Sequence, residues 1–493
     1  MLLSIRRSAG SARTTGLDDS TLKELLSWNA DLGKAIESAV SAKSQLMPQY
    51  EQYFKMEEAE LCKHLQEKIL NFYPTHGINP YVPLGGYGSW IITTHGAVLH
   101  DSGGYGMLGL GHAPEKVLEA MNKPYVMANV MTPSLSQKNL TDRLVKEIGR
   151  KTGKCPFSKF VFLNSGSESV TFTCRVTDIH ARKMTDPGAR HAGKKVAKLA
   201  IIESFHGRTE GPARLSHSTR PAYTKHLASF RDSDNMVFVP VNDIQALKNA
   251  FSKADQDGVF FEAIFVEPVM GEGVPGLAIT RSFYDEARKL ANQMESLLIV
   301  DSIQAALRAQ ACLSIIDYNG FENCEPPDME TYSKALNAGQ YPLSVVAMRS
   351  EISEKYIQGL YGNTMTTNPR AMEVACTVLD SITEETRANI HARGKEFLDK
   401  FNKLNDEFPG AVEKVVGTGL MVCIMLNPKQ YRVTGKDGFE EYLRIHGIEM
   451  IHGSDYGLRF TPSFNITSKE IDLIVEYVKR GLKELPARNS TYK

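Results

Sequence analysis

Lys334 lies in Pro327-Asp-Met-Glu-Thr-Tyr-Ser-Lys-Ala-Leu336, downstream of Asp301, the residue that ends the apolar run Leu297-Leu-Ile-Val300. A lysine amine condenses with an aldehyde to a Schiff base. A carboxylate at the carboxyl end of a buried strand can keep a heterocyclic nitrogen protonated, so that the ring draws electrons. Together the two types suit a pyridoxal-phosphate site. Each taken alone also has an ordinary reading, Lys334 as a solvated surface lysine and Asp301 as a turn residue at a strand end.

Four further segments offer chemistry beside this pair. Phe162-Leu-Asn-Ser-Gly-Ser-Glu-Ser169 reads as strand, tight turn and helix start, where the free N–H groups at Ser165, Gly166 and Ser167 can receive a phosphate. Ser165 and Glu168 equally form a capping box that needs no ligand. Ile201-Ile-Glu-Ser-Phe-His-Gly-Arg-Thr209 places Phe205 or His206 against a pyridine face, Gly207 where backbones approach closely, and Arg208 where a substrate carboxylate can be bound by two hydrogen bonds. Ala263-Ile-Phe-Val-Glu-Pro-Val-Met-Gly-Glu-Gly273 carries Glu267 and Glu272 at the end of a buried strand, although the Pro and Gly residues there also explain a polar loop. Gly362-Asn-Thr-Met-Thr-Thr-Asn-Pro369 offers hydroxyls to a phosphate and, as an alternative, a plain helix N-cap.

In this order and approximate spacing, the five segments resemble the class III pyridoxal-phosphate aminotransferases, the family of ornithine, acetylornithine and 4-aminobutyrate aminotransferases. The resemblance runs from about Tyr81 to about Leu485. It implies Lys334 as the Schiff-base lysine, Asp301 at the pyridine nitrogen and Gln304 near the phenolic oxygen. It further implies Gly166 and Ser167 at the phosphate, Phe205 stacked on the ring and Glu267 in the network behind it. The match of Thr364 implies contact with the cofactor of a neighbouring subunit, hence a homodimer with shared sites. Arg459, in Ile451-His-Gly-Ser-Asp-Tyr-Gly-Leu-Arg-Phe-Thr-Pro462, matches the arginine that binds the α-carboxylate of 2-oxoglutarate. Glu272 matches an acid that neutralises this arginine in the other half-reaction, and Tyr105 would line the substrate mouth.

The expected activity is transfer of an amino group from an ω-amine or diamino acid to 2-oxoglutarate by a ping-pong cycle. Racemisation, aminomutation or elimination on the same scaffold, or a scaffold without catalysis, are the rival readings. Two departures stand out. The family's Asp-Glu-Val-Gln reads Asp301-Ser-Ile-Gln304 here, and its Gly-Arg-Thr-Gly is replaced by Arg308-Ala-Gln-Ala311, so a second acid is missing and the following loop is altered.

Apolar strands alternate with helical patterns from His112 to Ala371. This predicts an α/β fold with a mostly parallel sheet and ligands at its strand ends, and the resemblance implies the fold-type I transferase form of it. Residues 1–80 form a helical extension, 81–111 the first part of a small domain and its linker, 112–371 the large cofactor domain and 372–493 a small α+β domain. Two helical stretches are expected between Leu17 and Asn71. Balanced charge, 57 basic against 57 acidic residues, gives no sign of a nucleic-acid or polyanionic partner, and no apolar run is long enough for a membrane span. Seven scattered cysteines without a Cys-x-x-Cys pair suggest a reducing compartment and neither disulfides nor a metal. Met1 to Gly16 hold Arg6, Arg7 and Arg13 and no acid, which reads either as a mitochondrial presequence or as a polar terminus. The expected location is the cytoplasm or the mitochondrial matrix. The glycines of Gly103-Gly-Tyr-Gly106 lack the strand and acid of a dinucleotide site.

Overall fold

The computed structural model describes residues 1–7, 9–74, 77–231 and 235–485. The chain forms two compact units, one of residues 1–115 with 389 onward, the other of Lys116–Ala388.

In the first unit, strands β1 (Pro83–Tyr87), β2 (Trp90–Thr93) and β3 (Val98–Asp101) form an antiparallel meander, to which β13 (Ile448–Glu449) adds in parallel beside β3. A second sheet, in the order β11 (Val412–Thr418), β12 (Met421–Leu426), β15 (Gly457–Phe460), β14 (Ile451–Gly453), is antiparallel throughout. Among its described residues the N-terminal segment holds helices Leu2–Arg7, Asp19–Leu26, Ala30–Lys55 and Glu58–Gln66, the last three lying between Leu17 and Asn71 where two stretches are expected from the sequence. Ala30–Lys55 continues past Pro48 and kinks at Tyr50, because proline removes a helical hydrogen bond and crowds the preceding turn. Asn29 caps this helix by accepting from the Leu32 N–H, and the same oxygen accepts from the buried Trp90 indole. Gly85 lets β1 and the helix close together, since a Cβ there would stand 2.4 Å from the Ala39 nitrogen. The first residues pack as well: Ile5 is fully buried, Arg6 reaches the Gly96 carbonyl and Asp19, and Arg13 pairs with Glu441.

The second unit is built on a seven-stranded sheet in the order β4 (Lys159–Leu163), β10 (Ser344–Met348), β9 (Met329–Tyr332), β8 (Leu297–Asp301), β7 (Val259–Val266), β5 (Lys195–Ile201), β6 (Met236–Val239). Neighbours are parallel except at β10, which runs antiparallel to both β4 and β9. The carboxyl ends of β4, β9, β8, β7 and β5 therefore share one edge of the sheet. All five residues of β8 are buried, as is every residue of β7 but its first, which suits strands covered on both faces. The charge inside β7, Glu262, is balanced by Lys198 at 2.5 Å and a hydrogen bond from Thr177. Helix Pro369–Ser381 belongs to this unit, joined to helix Leu135–Glu147 by the Arg143–Asp380 ion pair, and the unit runs on to Ala388 rather than ending at 371. No described helix is long and apolar enough to cross a membrane.

Candidate active site

The turn after β9 presents Lys334. Its φ of +49° lies in the left-handed region, where a side chain costs roughly 1 kcal/mol or more, and such strain persists only where the surroundings impose it. Here the Ser333 hydroxyl and the Asn337 amide both donate to the Leu343 carbonyl and pin the turn from two sides. Lys334 is half-buried, and its Nζ donates to Gln304 Oε1.

One strand over, Asp301 is buried at the end of β8. Its Oδ1 accepts from the Ile303 N–H at 3.1 Å and the Thr331 hydroxyl at 3.3 Å, and its Oδ2 accepts from His206 Nδ1 at 2.8 Å. Desolvation disfavours the His206 imidazolium, but the Asp301 hydrogen bond and charge outweigh it and leave the pKa above the ordinary histidine value. The ring is fixed from its backbone too, since the His206 N–H donates to the Ser216 hydroxyl. Its Nε2 is buried without a hydrogen-bond partner among the described residues.

Of the two residues that the sequence offers to a cofactor ring, His206 is thus committed to Asp301, while Phe205 is half-buried with the Arg208 guanidinium 5.4 Å from its centroid. The Phe205 N–H donates to Glu267 Oε1 and the Gly271 N–H to Glu267 Oε2. Burial, followed by the charge of Asp301, lifts the Glu267 carboxyl to about 7 against the pull of His206 and these two N–H groups.

At the end of β4, Ser165 caps helix Gly166–Thr185 by accepting from the Glu168 N–H, and Glu168 reaches back to accept from the Asn164 N–H. Gly207, at φ +119°, brings the Phe205–Arg208 loop against this turn: a Cβ on it would lie 2.3 Å from Ser167 Oγ, which accepts from the Arg208 N–H. Asn363 donates to Glu168, so the 362–367 segment leans on the same helix start, with Thr364 exposed beside it. Glu272 is half-buried in the loop after Gly271.

Arg459 and Tyr105 belong to the other unit. Arg459 is buried in the middle strand pair of its sheet, opposite Cys423 and Ile451, and Tyr105 sits at φ +50° in the turn Gly104–Gly106 with its ring 6.0 Å from that of Tyr73. Burial raises the Tyr105 phenol well above its ordinary pKa.

The arrangement fits pyridoxal phosphate on observations of this chain alone. Gly207 and Gly271 keep the cradle open, because a Cβ at Gly271 would meet Glu267 and Gln304 at 3.0–3.1 Å. A buried, oriented carboxylate and a half-buried amine converge on it from adjacent strands, and a helix N-terminus offers N–H groups for the phosphate. Two contributors escaped the sequence reading, Thr331 and Ser216; each is a common hydroxyl whose partner is set by the fold rather than by a sequence motif.

Buried carboxyls give the folded protein a pH dependence. Glu330 is fully buried and burial raises its pKa to about 7, above that of an unfolded glutamate. Between those values the folded chain holds a proton that the unfolded chain has lost, so stability falls as pH rises and the loss is complete above about 7. For cofactor-free protein, urea unfolding is expected to show Glu330→Gln removing about 2 kcal/mol of the decline between about pH 5 and pH 7. An unchanged decline would mean that Glu330 is ionised throughout.

The family profile described as Aminotransferase class-III matches residues 75–482. An ornithine aminotransferase of Staphylococcus carnosus is 28% identical over 412 residues, covering 83% of this chain and 95% of that protein. Ornithine aminotransferase 2 of Staphylococcus aureus strain MRSA252 is 27% identical over 423 residues, covering 84% and 98%. Among solved structures, the ornithine aminotransferase of Toxoplasma gondii superposes with a TM-score of 0.74 at 20% identity, over 90% of this chain and 99% of that one, which establishes the fold. Residues 75–482 are most of this 493-residue chain, and it therefore belongs to the class-III aminotransferases, enzymes that work with pyridoxal phosphate.

Proposed function

We propose that this aminotransferase moves an amino group from an ω-amine or diamino acid to 2-oxoglutarate in a ping-pong cycle, with Lys334 as the Schiff-base residue. The observation that carries the reading is the convergence of Lys334 with Gln304 on one side and of Asp301 with His206 on the other, at neighbouring strand ends. When bound, pyridoxal phosphate supplies an electron sink for the charge that develops on the substrate carbon. Asp301, held by three donors, would stand at the pyridine nitrogen. Lys334 Nζ takes the proton from the amine-bearing carbon and returns it, and the turn that holds it limits where that proton can go. Ser165, Gly166 and Ser167 would take the phosphate, and Phe205 would cover one face of the ring.

The relatives' names support ornithine as the first donor to test. Incubation with ornithine and 2-oxoglutarate should yield glutamate and a carbonyl product in equal amounts. Glutamate formation with none of ornithine, N-acetylornithine or 4-aminobutyrate would refute the donor class. Arg459 is proposed to bind the acceptor's α-carboxylate. Arg459→Ala should raise KM for 2-oxoglutarate by about 100-fold, as expected for a buried charge-assisted pair, and an unchanged KM would remove the assignment.

We further propose a homodimer. Val126, Met131, Leu135 and Met365 are 86%, 86%, 84% and 69% exposed, and a cavity of about 690 Å³ opens beside Val130, Phe172 and Tyr361. Apolar surface of this kind favours burial against a second copy.

A further inference from the structure

The acid missing after Asp301 has a counterpart on the neighbouring strand. Glu330 stands in β9, opposite Val300, with its carboxylate fully buried. Oε1 accepts from the Ser302 hydroxyl at 2.6 Å and from the Ile315 N–H at 3.0 Å, and Oε2 accepts from the Ser314 hydroxyl at 2.5 Å. No ion pair of Glu330 occurs among the described residues. A buried carboxylate without a counter-ion is costly, and hydrogen bonds of this number are the usual compensation.

These three donors mark the two ends of one loop. Ser302 begins it and Ser314 and Ile315 close it, so a single carboxylate ties both ends together. The loop is under strain: Leu307 and Ala311 hold φ of +64° and +55°, a region that favours glycine. Leu307 N–H donates to the Cys312 carbonyl across the tip, and Arg387 donates to the Ala311 carbonyl. Gln304, two residues after Ser302, is the partner of Lys334. Gln304 thus lies in a loop strained at its tip, and Glu330 is a side chain that bonds to both of its ends.

We infer that Glu330 is a positioning residue for the Lys334 site, clasping the base of the Ser302–Ile315 loop and so setting Gln304 against the Lys334 amine. The inference rests on Lys334 being the cofactor lysine and goes beyond that reading by assigning an acid that acts through the loop rather than by touching the cofactor.

The test uses holoenzyme and two readouts, the midpoint of the pH titration of the bound cofactor's visible absorbance and the melting temperature of the cofactor-free protein. Glu330→Val, which deletes the clasp, should shift the absorbance midpoint by about half a pH unit or more, because Gln304 loses its placement beside Lys334. Glu330→Gln retains an acceptor for Ser302 and Ile315 and should leave the midpoint near that of the wild type. Glu262→Gln, which alters another buried acid of the same sheet, should lower melting without moving the midpoint. If Glu330→Val lowers melting while the midpoint stays fixed, Glu330 is only structural and the inference is overturned. Should that variant not fold, Ser302→Ala, which removes the donor that Glu330→Gln still serves, releases one end of the loop and decides by the same readout. A wild-type protein that takes up no cofactor would instead remove the underlying reading of Lys334, and the inference with it.

Discussion

Replacing Lys334 by alanine is expected to lower amino-group transfer by about four orders of magnitude or more, with the fold intact. A positioned proton carrier contributes about 10²–10⁴-fold on its own, and this residue also supplies the covalent attachment that splits one difficult step into easier ones. Few other side chains can stand in. Gln304, the immediate neighbour, has no basic nitrogen, and His206 is engaged with Asp301. Alanine fits the left-handed turn no worse than lysine, so melting should change little while the rate collapses. The check is a single-turnover assay of donor-dependent keto-product formation beside a thermal melt. A residual rate within a factor of ten of wild type would assign the proton transfer elsewhere.

Asp301→Asn should cost about 10²–10³-fold in turnover with little change in KM, the size expected for removing one oriented charge from a site excluded from water. The substitution is close to isosteric. An asparagine oxygen can still accept from His206 or from Ile303 and Thr331, so what disappears is mainly the negative charge. The loss should appear in the half-reactions with donor and with acceptor alike, since both need the same protonated ring nitrogen. A variant that loses less than tenfold in both would show that Asp301 only braces His206.

Much of this site was legible because the residue types sit where strands must end. The run Leu297–Val300 is apolar at every position, so Asp301 had to be the point at which β8 meets a polar environment, and the Ser165 turn follows β4 in the same manner. What stayed hidden depends on contacts between segments. Adjacent Phe205 and His206 are equally plausible ring partners in one dimension, and only the fold turns the imidazole onto Asp301. Thr331 and Glu330 are visible as strand residues, but their roles come from the register of β9 beside β8, which pairs Asp301 with Thr331 and Val300 with Glu330. Hence the altered Asp-Ser-Ile-Gln motif reads as the loss of an acid, whereas the fold brings one to Ser302 from the next strand.

The central claim is that Lys334 carries the cofactor, and borohydride reduction of the holoenzyme followed by peptide mass spectrometry tests it most directly. The account predicts a reduced pyridoxyl group on the peptide containing Tyr332-Ser333-Lys334 and on no other lysine. A label on a different lysine, or none in protein whose absorbance shows bound cofactor, would contradict it.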